Sequence, residues 1–545
     1  MAVKTKDEKK KSSIIRPFGN VRYIIPPSLA APEHHDRIVA WVEDAIARVV
    51  LEHPALRLDV VNADTKRPAW VAVDEIDFAH HITWEDMDDT AENYEEILRA
   101  KIEKRLDEPY TKLTGRPQWR VLILFKKGVH HPSSLDIVFD YSHAFSDGTS
   151  GKIFHETLLR TLNATTTTTT TNIASTETST EKDDDGVLVA NRTLKIPPSA
   201  TTLPPPVEKL GKFSVSAKFA ISTAWRELRP ASLMTSSPSA THAHWAPIQP
   251  TPYATRFRTF DIEAVVLRNI LTACRAHETT LTGLLHALTL ASLAARIKES
   301  EATAFTGSTA LDLRRFLGRT APKGLEPSRT MADYVSQTAH VFDADLVREI
   351  RAAAAATTTT VSDDDDDDDD APPSPPLVNL IWRCATRVRS EIQKRLDHGL
   401  KNDLVGLMRL VSDWRTQFRT EASKPRPYSF VVTNLGVLDG SSSSSSSPDA
   451  AAAAKEEEEE KKKKKKKEDR GSSSSSSGNN SWTIEHAVFA ISAEVCGAAF
   501  QVSPISVRNG ALCVSCSWQE CVVDGELGEV IVADLRRWLR FLGES

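Results

Sequence analysis

The sequence is poor in cysteine, with six in 545 residues at scattered positions. That is too few and too dispersed for a disulfide framework of the kind that staples small secreted domains. A long apolar run is also missing. The best stretch, Leu281–Ile297, is interrupted by Thr282, His286, Thr289, Ser292 and Arg296. It falls short of the roughly 18 uninterrupted apolar residues that mark a membrane span. The N-terminus, MAVKTKDEKKKSS, is basic and polar with no apolar segment behind it, so no secretory signal is expected. Charge of one sign is not in excess either, since 68 Lys and Arg stand against 74 Asp and Glu. These absences point to a soluble, cytoplasmic protein with no transmembrane segment.

What is present in abundance is low-complexity sequence. Three tracts stand out: a Thr run followed by Ser, Thr and acid over about 164–186, an Ala-Thr-Asp run closing in PPSPP over about 353–377, and Ser, Ala, Glu and Lys blocks over about 440–481. Within them, Asn172–Asp185, Asp363–Asp370 and Lys455–Arg470 carry charges of −4, −8 and +2 out of a formal total of −6. The remainder is therefore about +4, too near neutrality to argue for nucleic acid. Such tracts offer too little apolar surface to offset their ordering entropy and are expected to be disordered insertions in surface loops. Without them roughly 455 residues remain, enough for two halves of ordinary domain size.

Between the tracts, helix and strand signals alternate. His35–Leu51 carries an apolar stripe through Ile38, Trp41, Val42, Ala45, Ile46, Val49 and Val50, the period of a helix. Pro54 ends it and an alternating strand follows. Trp119–Lys127 and Leu135–His143 read as a strand hairpin, Gly148–Leu162 as a helix, and Pro197–Pro206 as a boundary between halves. Later come helices over Val265–Ala276, Thr282–Ile297 and Val530–Leu542. Strands are expected over Gly307–Leu313, Tyr428–Asn434 and within Trp482–Ser517. The expected fold is α/β with mixed sheets flanked by helices, divided at 14–205 and 206–545.

The chemistry concentrates in His143-Ala-Phe-Ser-Asp147-Gly148. By the period of two, Leu135, Ile137, Phe139, Tyr141 and His143 share one strand face, so the imidazole stands at the rim of a core where the chain turns. Imidazole takes and returns a proton near neutrality without large tuning. Asp147 and Gly148 fall in the turn before the next helix, where a carboxylate can hold an arginine and glycine permits close backbone approach. A histidine satisfied within the core is the alternative. Cys513-x-x-Cys516 lies in a strand-like run with no second pair to complete a zinc site, so the reading is two buried thiols and no metal. His130-His131 reads as a solvated hairpin tip. No G-x-G-x-x-G or Walker-type loop occurs.

These segments resemble the chloramphenicol-acetyltransferase-like superfamily, and most of all its alcohol O-acetyltransferase family. The resemblance is carried by EHPALRLDV, PQWRVLILF, FDYSHAFSDGTSGKIFHETLL, LPPPVEK, ETTLTGLLHALTLASL, STALDLRRFL and SFVVTNLGVLDG, in that order along about residues 18–540. It implies two similar halves meeting at an active-site tunnel. His143 is then the general base on an acceptor hydroxyl, with acetyl-CoA or another acyl-CoA as co-substrate and a small-molecule alcohol as acceptor. Asp147 points away from the acceptor and pairs with an arginine: Arg314 is the candidate, Arg315 the runner-up. Asn434 either serves the oxyanion or CoA channel or makes a structural turn.

Two departures narrow the resemblance. Ser142 stands where condensation domains carry a first histidine, and the plant-type D-F-G-W-G motif is absent. The expected activity is acetyl transfer to an alcohol by a monomer. The alternatives are transfer to an amine, condensation-type chemistry, or a catalytically silent scaffold. Leu535, Trp538, Leu539 and Leu542 of the last helix pack on the final sheet or, alternatively, give weak association with an endoplasmic-reticulum or lipid-droplet surface.

Overall fold

The computed structural model describes residues 15–62, 65–66, 68–88, 93–110, 115–127, 133–174, 189–198, 203–228, 243–358, 372–441 and 480–544. In chain order the main strands are β1 (Pro17–Ile24), β2 (Ile82–Asp88), β3 (Trp119–Lys127), β4 (Ser134–Tyr141), β5 (Thr255–Ile262), β6 (Phe305–Asp312), β7 (Val335–Phe342), β8 (Tyr428–Val432), β9 (Thr483–Ile491), β10 (Ala498–Val507) and β11 (Leu512–Gln519). The main helices are α1 (His35–Glu52), α2 (Tyr94–Asp107), α3 (Gly148–Ala174), α4 (Ala264–Ala276), α5 (Leu281–Arg296), α6 (Ala344–Thr358), α7 (Pro375–Asp397) and α8 (Gly525–Glu544). Among the described residues no helix is long and apolar enough to cross a membrane.

The first sheet runs β9-β1-β4-β3-β2, with only β2 and β3 parallel. Its centre, β4, is buried on both faces. One face is aromatic: Phe139 stacks on Phe154 of α3 at 3.9 Å between centroids. The other carries Asp136 and Asp140, which burial tolerates only because partners surround them. Asp136 accepts from Arg22 at 2.9 Å and Tyr94 at 2.5 Å, and Asp140 accepts from Arg105 at 2.8 Å and Arg120 at 3.0 Å.

The second sheet runs β5-β11-β10-β8-β6-β7, with Gly436–Leu438 added beside β10. Pairs β6–β8 and β8–β10, and Gly436–Leu438 with β10, are parallel, and the remaining pairs are antiparallel. Helix α5 lies at the centre of this half, packed by α6, α7 and α8. All its residues from Gly283 to Ala294 are buried, which explains an apolar run that is not a membrane span. The apolar face of α8, with Leu535, Trp538, Leu539 and Leu542, is likewise spent on the core, against α4, α5 and β5.

Several boundaries differ from expectation. Strand β9 lies far along the chain yet pairs antiparallel with β1, Pro17 opposite Ile491, so the first sheet is completed from beyond residue 206. Helix α3 continues through the Thr run to Ala174. Ala353 and Leu377 belong to the core, because apolar groups at the margins of the second tract fall on the inner faces of α6 and α7. Gly440 and Trp482, flanking the third, are buried as well. The rest of each expected insertion, 175–186, 359–371 and 442–479, lies outside the described residues, as do His130 and His131. Helices α2 and α7 are amphipathic segments that the sequence reading passed over.

A Cβ on Gly528, in the first turn of α8, would stand 2.3 Å from the Trp518 ring of β11. Gly528→Ala should cost about 1–3 kcal/mol by overpacking, read from the denaturant midpoint. An unchanged midpoint would show that α8 lifts off β11 without penalty.

Candidate active site

Strand β4 ends at Tyr141, two residues before the position its alternation projected, and Ser142–Ser146 form the turn into α3. His143 therefore stands in the turn, its side chain keeping 24% of its surface exposed. Its backbone N–H donates to Ile15 O at 3.1 Å, and Ser142 N–H donates to Gln118 O at 3.0 Å. Phe145 packs at the edge of Trp70 and beside Tyr141, roofing the turn.

Asp147 is engaged on every side. Its Oδ1 accepts from Ser150 N–H at 3.0 Å, capping the first turn of α3. Arg314 grips both oxygens, Nη1 to Oδ2 at 2.6 Å and Nη2 to Oδ1 at 3.0 Å. Tyr334 N–H donates to Oδ2 at 2.9 Å, and Ser150 Oγ donates to Oδ1 at 3.0 Å. Both side chains of the pair are only 4% exposed. Burial alone would lower the Arg314 guanidinium, but the charge and hydrogen bonds of Asp147, with Asp312, raise it above its ordinary value. A planar fork on a buried carboxylate is strong and directional in a way a lysine is not.

The same pair joins the segment between β4 and α3 to the segment that follows β6. Asp147 and Ser150 precede or belong to α3, whereas Arg314, Ala332 and Tyr334 follow β6. Ser150 Oγ also lies 3.0 Å from Ala332 O and accepts from Ala332 N–H at 3.0 Å. Gly148 fits because a Cβ there would meet the Phe489 ring of β9 at 2.9 Å and Leu435 at 3.0 Å.

Two acidic residues near His143 escaped the sequence reading. Asp333 Oδ2 lies 4.0 Å from His143 Nδ1. Its side chain is 41% exposed yet hemmed in by protein, which pushes the carboxyl up to about 6; Asp147 adds to this, and His143 and Arg314 oppose it. Glu494 lies near enough to His143 for their charges to interact. Burial raises its carboxyl, while the Ala498 N–H donated at 2.7 Å and the charge of His143 pull it back. The 494–498 loop is held by Arg426, which is 1% exposed and donates to the carbonyls of Glu494, Gly497 and Ala498. Neither acid belongs to a motif; each comes near His143 from a segment far along the chain.

Asn434 occupies a turn. Its Oδ1 accepts from Gly436 N–H at 2.8 Å and its Nδ2 donates to Thr282 Oγ1 at 3.0 Å, while Gly436 takes a φ of +71° that favours glycine. Its neighbour Leu435, not Asn434 itself, touches Gly148. Arg315 is exposed and lies over the Phe316 ring. Ser142 is buried and accepts from Ala144 N–H at 3.4 Å. A cleft of about 610 Å³ lined by Glu349, Pro376, Asn379 and Arg383 shares no residue with His143.

Residues 75–323 match the family model of the alcohol acetyltransferases. That span includes His143, Asp147, Gly148 and Arg314 but not Asp333, Asn434 or Glu494. A curated relative, "Probable alcohol acetyltransferase FCK4" of Fusarium pseudograminearum, is 26% identical over 537 residues, covering 97% of this chain and 91% of its own. Among solved structures, the TRI3 trichothecene 15-O-acetyltransferase of Fusarium sporotrichioides superposes with a TM-score of 0.60 at 14% identity, covering 98% of this chain and 92% of its own. The first condensation domain of the calcium-dependent antibiotic synthetase gives 0.55 at 12%, covering 99% and 94%. The fold is the chloramphenicol-acetyltransferase-like one.

Asp147→Asn should destabilise the protein by about 3–5 kcal/mol, because it leaves Arg314 buried without its counter-charge. An unfolding free energy within about 1 kcal/mol of wild type would mean the pair is not a determinant of stability. For Asp333 the sign is opposite to that of an ordinary surface carboxylate. With its folded-state pKa raised, the protonated form stabilises at low pH, and that contribution is lost as pH rises through about 6. Asp333→Asn should therefore flatten the stability–pH curve between about pH 4 and pH 6. Parallel curves for mutant and wild type would refute this.

Proposed function

We propose that this chain, an acyltransferase of the alcohol acetyltransferase family, moves an acetyl group from acetyl-CoA to the hydroxyl of a small-molecule alcohol, with His143 as the general base. The observation that carries this reading is the placement of His143: a partly exposed imidazole on a turn clamped by the Asp147–Arg314 pair, with Nδ1 toward Asp333. That leaves Nε2 for the acceptor, and among the described residues it has no hydrogen-bond partner.

The steps follow from that geometry. Nε2 takes the hydroxyl proton as the alcohol oxygen attacks the thioester carbonyl. The tetrahedral adduct collapses with cleavage of the C–S bond, and the imidazolium returns the proton to the departing CoA thiolate. Ester and CoA are the products, and no covalent enzyme intermediate is required. Asp333 and Glu494 favour the transient imidazolium by charge, while Asp147 acts through position alone. A near-neutral folded body is compatible with a polyanionic co-substrate. Ser142, in place of a first histidine, disfavours peptide-bond condensation.

The test is release of free CoA from acetyl-CoA over a panel of alcohols, followed with a thiol reagent. His143→Ala should lose roughly 10²–10⁴-fold in kcat with little change in the KM for acetyl-CoA. Equal rates for mutant and wild type would remove His143 from the mechanism.

A further inference from the structure

Away from His143, three side chains with different donor atoms meet where the two sheets adjoin. Asp261 on β5 and Cys513 on β11 are directly paired residues of the second sheet, so their side chains emerge on one face. His486 arrives on β9, which is hydrogen-bonded into the first sheet through β1. Its Nε2 lies 3.0 and 3.2 Å from the two oxygens of Asp261. One ligand atom from each of the three residues lies within 4.8 Å of the others.

We propose that Asp261, His486 and Cys513 bind a zinc ion that staples the first sheet to the second. Thiolate, imidazole and carboxylate are the three protein donors zinc accepts, and it binds them at about 2.0–2.3 Å. Tetrahedral geometry at those lengths sets ligand atoms roughly 3.3–3.8 Å apart, within a side-chain rotation of the separation present. Cys513 is buried and His486 half-buried, whereas Asp261 is exposed, so the fourth position opens toward solvent for a water. The surrounding charge suits a cation. Arg22 is nearby, but Glu95 and Asp136 each hold it at 2.9 Å, leaving the carboxylate of Asp261 as local negative charge.

Binding has a defined proton balance. The Cys513 thiol loses its proton, as does His486 where it is protonated, and both protons pass to solvent as the metal–sulfur and metal–nitrogen bonds form. No two of the ligands are close in sequence, and Cys516, three residues on, faces the opposite core. The sequence spacing that argues against a C-x-x-C zinc site is thus compatible with this one.

The experiment uses the full-length protein, stripped with a chelator and titrated with cobalt(II), a spectroscopic substitute for zinc. One equivalent should produce a thiolate-to-cobalt charge-transfer band that zinc displaces, and zinc should raise the melting temperature. Cys513→Ser should abolish the band, and His486→Gln should weaken zinc binding by at least roughly 100-fold. Cys516→Ser and Cys521→Ser should change neither readout. His486→Gln, at a half-buried position, keeps the test informative if Cys513→Ser fails to fold. Absence of the band with wild-type protein, or its persistence in Cys513→Ser, overturns the proposal and leaves the cluster an ion pair with a neighbouring thiol.

Discussion

Arg314 and Asp147 are both almost wholly buried, and neither charge could sit there without the other. The fork of two hydrogen bonds, with Tyr334 N–H and Ser150 completing the carboxylate's shell, fixes the first turn of α3 and the loop before it. His143 rides on that loop. Since the guanidinium follows β6 and the carboxylate follows β4, the turn bearing the imidazole is braced by a segment far along the chain. A pair of this kind is a poor source of net stability, because desolvation consumes most of the Coulombic gain. Its value is directional: few other arrangements of the two halves satisfy both groups.

The dependence on docking extends beyond one ion pair. Phe489 on β9 and Leu435 after β8 occupy the space a side chain at position 148 would need. Asp107 and Glu103 of α2 accept from Thr255 and Phe257 backbone N–H groups of β5 at 2.9 and 3.0 Å. Strand β9 makes the exchange covalent, since the chain leaves the second half to complete the first sheet. The halves are therefore not independent domains that close on one another. The 163-residue separation of Thr149 and Asp312, bonded at 3.1 Å, shows how non-local the site's construction is. Contacts of such long sequence separation slow folding, because loop closure must be met before they form.

Much of the architecture was legible in local patterns. The apolar stripe of α1, the hairpin of β3 and β4, the buried helix α5 and the amphipathic α8 all follow from period and breakers, with limits shifted by a few residues. The misses have physical causes. Helix α2 has alternating charge and only four buried residues, Tyr94, Leu98, Ile102 and Leu106, so its stripe is thin. At the margins of the low-complexity tracts, the surrounding composition masks Ala353 and Leu377, single apolar positions that the core uses. Strand β9 was recognisable as a strand, but nothing local says which sheet it joins, because hydrogen-bond partners are not encoded in alternation.

By itself, the sequence determined the chemistry available at the turn: an imidazole, a carboxylate four residues on, and a glycine beside it. Those depend on side-chain type and spacing along one short segment, which the chain carries wherever it folds. Tertiary structure alone decided which arginine meets Asp147, which acids lie near His143, and that Asp261, His486 and Cys513 converge. Each of those is a relation between segments separated by many residues. Their proximity is the product of burying two apolar faces and satisfying every buried polar group at once, a condition on the whole chain that no local pattern expresses.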